Sequence, residues 1–246
     1  MSWIGYGLGG GILTTKYPRG DDAMPQDYRG EVEPAHVSPE DLRAGAAACL
    51  SRAITEREGA RVDALRCFQC GECTRVAPQG FVARSHFELA RASGSADETF
   101  RKLRERSRAF GRSVHLRHID VGSDGSEEQE LVAIFNPFYD ANRLGIFLTA
   151  TPRHADVLVV TGVVTKPMAD PLRRTYEAMP EPKTVIALGT SACSGGIFAD
   201  SPEVVGPVSA VLPVDVLVPG APPSPLTILH GLWVGLGHVL ARESTS

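Results

Sequence analysis

The chain has 246 residues, of which 22% are charged and 43% hydrophobic, and a formal net charge of −4. These values suit a globular protein of one large or two small domains, and the mildly acidic balance gives no electrostatic reason to expect nucleic acid as a partner. Five cysteines is an odd number, and three of them fall within seven residues. In a reducing compartment such crowding points to a metal site rather than a disulfide framework.

Taken in chain order, the opening MSWIGYGLGGGIL lacks the basic stretch that begins a secretory signal. Its YGLGGG run precedes no helical pattern, which leaves a phosphate-binding role weak. Residues 1–48 are rich in Gly, Pro and charge, and TTKYPRGDD and PQDYRGEVEP read as extended loop and turns. Residues 49–92 carry the cysteine cluster in segments too short to bury a core unaided, as in a metal-stapled module. Residues 96–112 predict a strongly basic helix, most simply a connector with a solvated face and otherwise a docking surface for an acidic neighbour.

From residue 113 the texture changes. SVHLRHID, GIFLTA, ADVLVVTG, KTVIALG and AVLPVDVLV are short β-branched runs, each ended by Gly, Pro or Asp. Helical patterns lie between and after them: EEQELVAIF, PMADPLRRTYEAM and PLTILHGLWVGLGHVLA. This alternation predicts an α/β fold with a parallel sheet covered on both faces. Ligands of such a sheet sit at the carboxyl ends of its strands, here residues 122–127, 162–167, 189–196 and 219–223. The longest apolar stretch, 226–240, is interrupted by His230, His238 and several glycines, and is too short and polar for a membrane span.

The string CFQCGECTRVAP sets Cys67, Cys70 and Cys73 at C-x2-C-x2-C spacing. That spacing wraps the backbone round an iron–sulfur cube, so that three thiolates reach three irons. In bacterial two-cluster ferredoxins a fourth cysteine follows before a proline and ligates the other cluster. Here Ala77 precedes Pro78. Upstream, AGAAACLSRAIT resembles the ending of a ferredoxin motif with Cys49 as its fourth cysteine, and counting back at the same spacing reaches Gly45, Leu42 and Pro39. Crossed ligation joins the two incomplete motifs into one four-thiolate site, Cys49 with Cys67, Cys70 and Cys73, and one site without any thiolate. A four-thiolate zinc, a three-iron cluster on the triplet alone, or free thiols remain the rival readings. Cys193, alone in TSACSGG, reads as a small buried residue.

The N-terminal strings LTTKYP, YRGEVE, the cysteine run and FELA resemble the ferredoxin-like subunit of formate-hydrogenlyase-type complexes. From Gly111 onward, GRSVHLRHIDVGS, NPFYDANRLGI, TPRHADVLVVTGVVTKPM and PVDVLVPGAPPSP resemble the small subunit of energy-converting (group 4) [NiFe] hydrogenases, which is related to the 20-kDa-type subunit of complex I. The resemblance implies a fusion: a ferredoxin-like α+β Fe–S module over 1–92, a basic helical connector over 93–112, and a flavodoxin-like domain over 113–246. It also implies a second cluster whose ligands stand in GSCxGCE, GxCA and PGCPP. This chain has GSDGSEE, GTSACSGG and PGAPP, so Asp124, Glu127, Ser191 and Ala221 occupy the ligand positions and no thiolate remains. The simplest reading of 122–128 is then a solvated acidic loop, and the alternative is that Asp124, Glu127 and Glu128 near Ser191 bind a hard cation or shuttle protons. His115, His118, His154, Arg143 and Arg153 match family residues and read as packing, hydrogen-bonding or interface groups.

The expectation is a subunit rather than a self-contained enzyme. It would carry one [4Fe-4S] cluster for electron transfer and dock on a large hydrogenase-like or complex I-like subunit of a membrane-associated assembly. It would be cytoplasmic and peripheral, with no span of its own. The alternative is a scaffold whose cluster, or zinc, only staples the fold in a complex without hydrogenase chemistry.

Overall fold

The computed structural model describes residues 13–20, 27–55, 61–108 and 113–239, with a few single positions before residue 27. Half of the YGLGGG run (Tyr6, Leu8 and Gly10) therefore lies outside the described residues, as do 109–112 of the basic stretch and 240–246 at the end.

The cysteine-bearing segment folds as two short β–α–β halves. Val32–Pro34 (β1) leads into helix Pro39–Ala48 (α1) and Ile54–Thr55 (β2). Arg61–Val62 (β3) leads into Glu72–Val76 (α2) and Phe81–Ala83 (β4). The halves join through antiparallel pairs, β1 with β4 and β2 with β3. The start of α1 is set locally. The Asp41 amide donates to the Ser38 hydroxyl at 3.1 Å, the Ser38 amide donates to the Asp41 carboxylate at 3.1 Å, and Pro39 takes the first turn, where no amide is needed.

Arg91–Ala92 (β5) then pairs antiparallel with the edge of the main sheet. Helix Ala96–Ser107 (α3) follows, and its buried Leu103 anchors it to the core. The sheet contains β5, Val114–Asp120 (β6), Ile146–Leu148 (β7), Val157–Thr161 (β8), Thr184–Leu188 (β10) and Val216–Val218 (β12). Its order is β5-β12-β10-β8-β6-β7, and every pair except β5–β12 is parallel. A side ribbon pairs Val164–Thr165 (β9) with Val204–Gly206 (β11). The last expected strand is shorter than its apolar run: Val208–Ala210 forms a single helical turn, and pairing begins beyond Pro213, which has no amide to donate.

Both faces are covered, as the alternation requires. Val157 and Val159 pack on one side with Leu131 of Ser126–Ala133 (α4) and Leu229 of Pro225–Gly235 (α7). Leu158 and Val160 pack on the other with Leu172 of Ala169–Glu177 (α5) and Ala192 and Cys193 of Thr190–Ser194 (α6). Strand periodicity of two sends neighbours to opposite faces, and burial on both sides explains why these strands are continuously apolar. Replacing the fully buried Leu158 by Ala should lower stability by about 2–5 kcal/mol. A urea titration that returned the wild-type midpoint would show that this face does not carry the core.

Candidate functional site

Cys49 follows the last turn of α1, Cys67 and Cys70 lie in the loop before α2, and Cys73 lies within α2. All four line one cavity of about 60 Å³, together with apolar groups such as Val32, Ile54 and Phe68. The loop reaches this shape through left-handed backbone at Gln69 (φ 58°) and Gly71 (φ 74°). The Gln69 amide donates to Cys67 Sγ at 3.4 Å, and the Ala53 amide donates to Cys49 Sγ at 3.2 Å. The Arg29 guanidinium donates to the Cys70 carbonyl from outside. Burial pushes the Cys67 thiol up to about 12, against the Gln69 amide, and Cys73, Cys49 and Cys70 add to the rise. Burial likewise raises Cys73. Four thiolates so close in an apolar wall need compensating positive charge. Among the described residues no three His, Cys, Asp or Glu side chains form a group that could hold a single metal ion.

The other motif positions gather elsewhere. Gly45 faces the Phe81 ring, where a Cβ would stand 2.4 Å from a ring carbon, and Leu42 and Ala77 pack in the same apolar cluster as Phe81. Pro39 opens α1. Cys193 is buried between sheet and helix, its thiol donating to the Ala187 carbonyl at 3.4 Å.

A second cavity, of about 430 Å³, opens at the carboxyl ends of the parallel strands. Asp124, Glu127, Ser191 and Ala221 all line it, the first two from the loop after β6 and the start of α4, Ser191 from the first turn of α6 and Ala221 from the loop after β12. Asp124 accepts from the Ser126 hydroxyl at 2.6 Å and from its amide at 3.0 Å, which holds its carboxyl below the ordinary range. The expectation of a wholly solvated acidic loop fails at Glu127, which is 4% exposed. Its side chain lies over Gly189, the residue after β10, where a Cβ would meet the carboxyl oxygen at 2.5 Å. Starting α4 at Ser126 turns this carboxyl inward. Burial, then the charges of Asp124 and Glu128, raise its pKa.

The two cavities share a wall, Phe68, which lines both. Thr190 fixes that wall: its hydroxyl donates to the Cys67 carbonyl at 3.2 Å and accepts from the Gly220 amide at 3.2 Å. Sequence reasoning passed over Phe68 and Thr190. Their positions, between cysteines and next to a ligand position, are the only signal that could have found them. Among the family-matching residues, His118 lies 2.9 Å from the Thr161 hydroxyl and 3.4 Å from Glu128, and burial lowers its pKa. His115 stacks on Phe147 and lies 3.5 Å from Asp156. Arg143 donates to the Thr15 carbonyl at 3.1 Å. Arg153 and His154 lie in the turn Pro152–His154.

An α/β sheet with convergent loops at its carboxyl edge defines the class of domain. Within that class, residues 125–234 match the family of the NADH ubiquinone oxidoreductase 20 kDa subunit. A probable membrane-bound hydrogenase subunit of Pyrococcus furiosus is 40% identical over 136 residues, covering 55% of this chain and 81% of that protein. Formate hydrogenlyase subunit 7 of Escherichia coli is 41% identical over 126 residues, covering 51% of this chain and 49% of its own length. A chain in the structure of the membrane-bound sulfane sulfur reductase, an archaeal respiratory membrane complex, is 28% identical with a TM-score of 0.47, over 54% of this chain and 74% of that one. The chain belongs to the 20 kDa subunit family of NADH ubiquinone oxidoreductase. Among the described residues no helix is long and apolar enough to cross a membrane.

Because the Glu127 pKa is raised on folding, the folded chain holds that proton more tightly than the unfolded chain does. Its contribution to stability is therefore present below the unfolded carboxyl value and is lost as pH rises through the folded one. E127Q should melt above the wild type at neutral pH, with the gain shrinking toward the ordinary carboxyl range. Thermal melts across pH test this, and a constant difference at every pH would contradict it.

Proposed function

We propose that the chain is an electron-transfer subunit of a membrane-associated, hydrogenase- or complex I-like oxidoreductase assembly, with one [4Fe-4S] cluster held by Cys49, Cys67, Cys70 and Cys73. One observation carries the reading: a cysteine 18 residues upstream of the triplet lines the same cavity as the triplet itself. The donor set supports it, since four soft thiols with amides donating to sulfur are what an iron–sulfur cube takes. Against zinc stands the spacing, since zinc sites usually pair two C-x2-4-C knuckles rather than one triple run with a distant fourth cysteine. When bound, such a cluster supplies reversible one-electron transfer.

The chain's own residues supply the setting. Burial raises Cys67 and Cys73, so a cluster's positive charge would favour their thiolates, and the Ala53 and Gln69 amides, which donate to Cys49 and Cys67, would favour charged sulfur. Arg91, paired with Glu31, lines a small cavity with Cys67 and adds a buried cation on that side. Phe81 fills the space among Leu42, Gly45 and Ala77, which supports the reading of a twin site without ligands. The fusion, with a ferredoxin-like module over 1–92, a connector over 93–112 and a flavodoxin-like domain over 113–246, is part of the same proposal. So is the loss of the second cluster at Asp124, Glu127, Ser191 and Ala221. The relatives named as hydrogenase and formate hydrogenlyase subunits support a place in such a complex.

A second reading, a scaffold stapled by its cluster, draws on the small apolar core of the module, five buried residues with partly buried neighbours. A redox titration separates the two: a reversible one-electron EPR signal supports transfer, and a cluster that collapses on reduction supports the staple. Replacing Cys49 by Ala should remove iron, acid-labile sulfide and visible absorbance as severely as replacing Cys70, whereas Cys193→Ala should leave them intact. Crossed ligation is falsified if anaerobically purified Cys49→Ala protein keeps the wild-type iron content.

A further inference from the structure

Cys67 and Val32 each line two cavities, the one shared by the four cysteines and a smaller one of about 10 Å³. A space that small holds about one water molecule, so the residues around it lie close together. Its only charged lining residues are Glu31 and Arg91, which pair with each other. Their side chains are 14% and 6% exposed, which makes theirs the deepest ion pair among the described residues. His86 Nε2 lies 3.9 Å from the same carboxylate.

Stability alone does not call for this pair. Taking two charges out of water costs about what their attraction returns, and apolar side chains of similar volume would hold the position as well. What burial changes is reach. A charge in a low dielectric acts across several ångströms, whereas the Arg84–Glu33 pair of the same module, 57% and 40% exposed, is screened by solvent. The two buried charges also come from different parts of the chain. Glu31 precedes β1 of the cysteine module, while Arg91 lies in β5, whose main chain pairs with Leu217 of β12. The sheet brings the cation to the cysteines, and the module brings the anion.

We propose that the Arg91–Glu31 pair sets the reduction potential of the cluster that Cys67 helps to hold, Arg91 favouring the reduced state and Glu31 the oxidised one. The inference rests on the reading of the four cysteines as a cluster site, and names what tunes that site. An iron–sulfur cube on four thiolates is negatively charged in both oxidation states and gains one more negative charge on reduction. A nearby cation therefore eases reduction and a nearby anion opposes it. Together the two hold the potential at a balance, and loss of either tips it, in opposite directions. Both act through space at the Cys67 corner and neither ligates iron.

The test is a potentiometric titration of the full-length chain, purified anaerobically, with EPR detection. A pH of 8.5 lies about two units above the ordinary imidazole value, which disfavours a charged His86 beside Glu31. Arg91→Gln should lower the potential and Glu31→Gln should raise it, each by at least a tenfold change in the reduction equilibrium, about 59 mV for one electron. R91K keeps the charge and should stay within threefold of the wild type, as should R84Q at the exposed pair. A merely structural pair would move R91Q and E31Q the same way or not at all. Shifts of one sign, a shift below tenfold in either variant, or an R91K potential as low as that of R91Q overturns the inference and leaves the cluster reading standing. If R91Q does not fold, E31Q decides alone: a potential at or below the wild-type value overturns the inference. A wild-type chain without iron and acid-labile sulfide overturns both.

Discussion

Thr190 is the joint on which the arrangement of both cavities depends. It is fully buried at the amino end of α6, its hydroxyl gives its one proton to the Cys67 carbonyl, and it accepts the Gly220 amide. Its own amide donates to the Gly220 carbonyl at 2.8 Å. The cysteine loop, the loop after β10 and the loop after β12 are therefore tied at a single side chain. A valine of nearly the same shape would leave a buried carbonyl and a buried amide without this partner, each a group whose desolvation is costly. The tie matters because, of the residues that follow, Phe68 walls both cavities and Ser191 and Ala221 wall the strand-end one.

Other contacts repeat the same message. β5 adds to the sheet beside β12, the Ala90 amide donates to the buried His230 ring at 3.2 Å, and Tyr28 lies 3.0 Å from the Ser224 hydroxyl at the start of α7. The cysteine segment is thus bound to the sheet domain by main-chain pairing and buried polar contacts, which resist sliding more than an apolar interface of equal size. The segment's own core is modest, and its asymmetry is informative. One side presents thiols around an open space, while the other closes on the Phe81 ring, with Gly45 admitting the ring where any side chain would collide with it.

Much of this was legible in the residues. The strands of the sheet followed from β-branched runs and their apolar continuity, and the meeting of four cysteines at one cavity accords with the C-x2-C-x2-C spacing taken together with the ferredoxin-like ending round Cys49. What escaped had a tertiary cause. Arg91–Ala92 is a strand only because β12 offers it an edge, and two residues of that kind carry no periodic signal. AVLPVDVLV looked like one long strand, yet Pro213 and the turn at Val208–Ala210 confine pairing to its end. Glu127 stands in an acidic run that composition alone would give to water. Its burial comes from where α4 begins, with Asp124 drawing Ser126 into the first turn and the next side chain rotating inward. The exposure of Ile197 and Phe198 could not be read either, since SGGIF would fit a core turn equally well.

The geometry also bears on how a lone redox centre at the cysteines would exchange electrons. Cys70 is exposed, and it borders a groove of about 450 Å³ that also includes Tyr28, Arg29, Phe68 and Glu130. On the opposite side of Phe68 lies the strand-end cavity, where an intact second site would have continued the path. On the proposed reading the chain therefore has one buried route, through Phe68, that ends in carboxyls and hydroxyls rather than in another thiolate centre, and one short route to the surface at Cys70. Tunnelling favours the shorter route, and the surface there is groove-shaped with both charge signs on its rim. On that reading electron entry and exit would share the exposed Cys70 face.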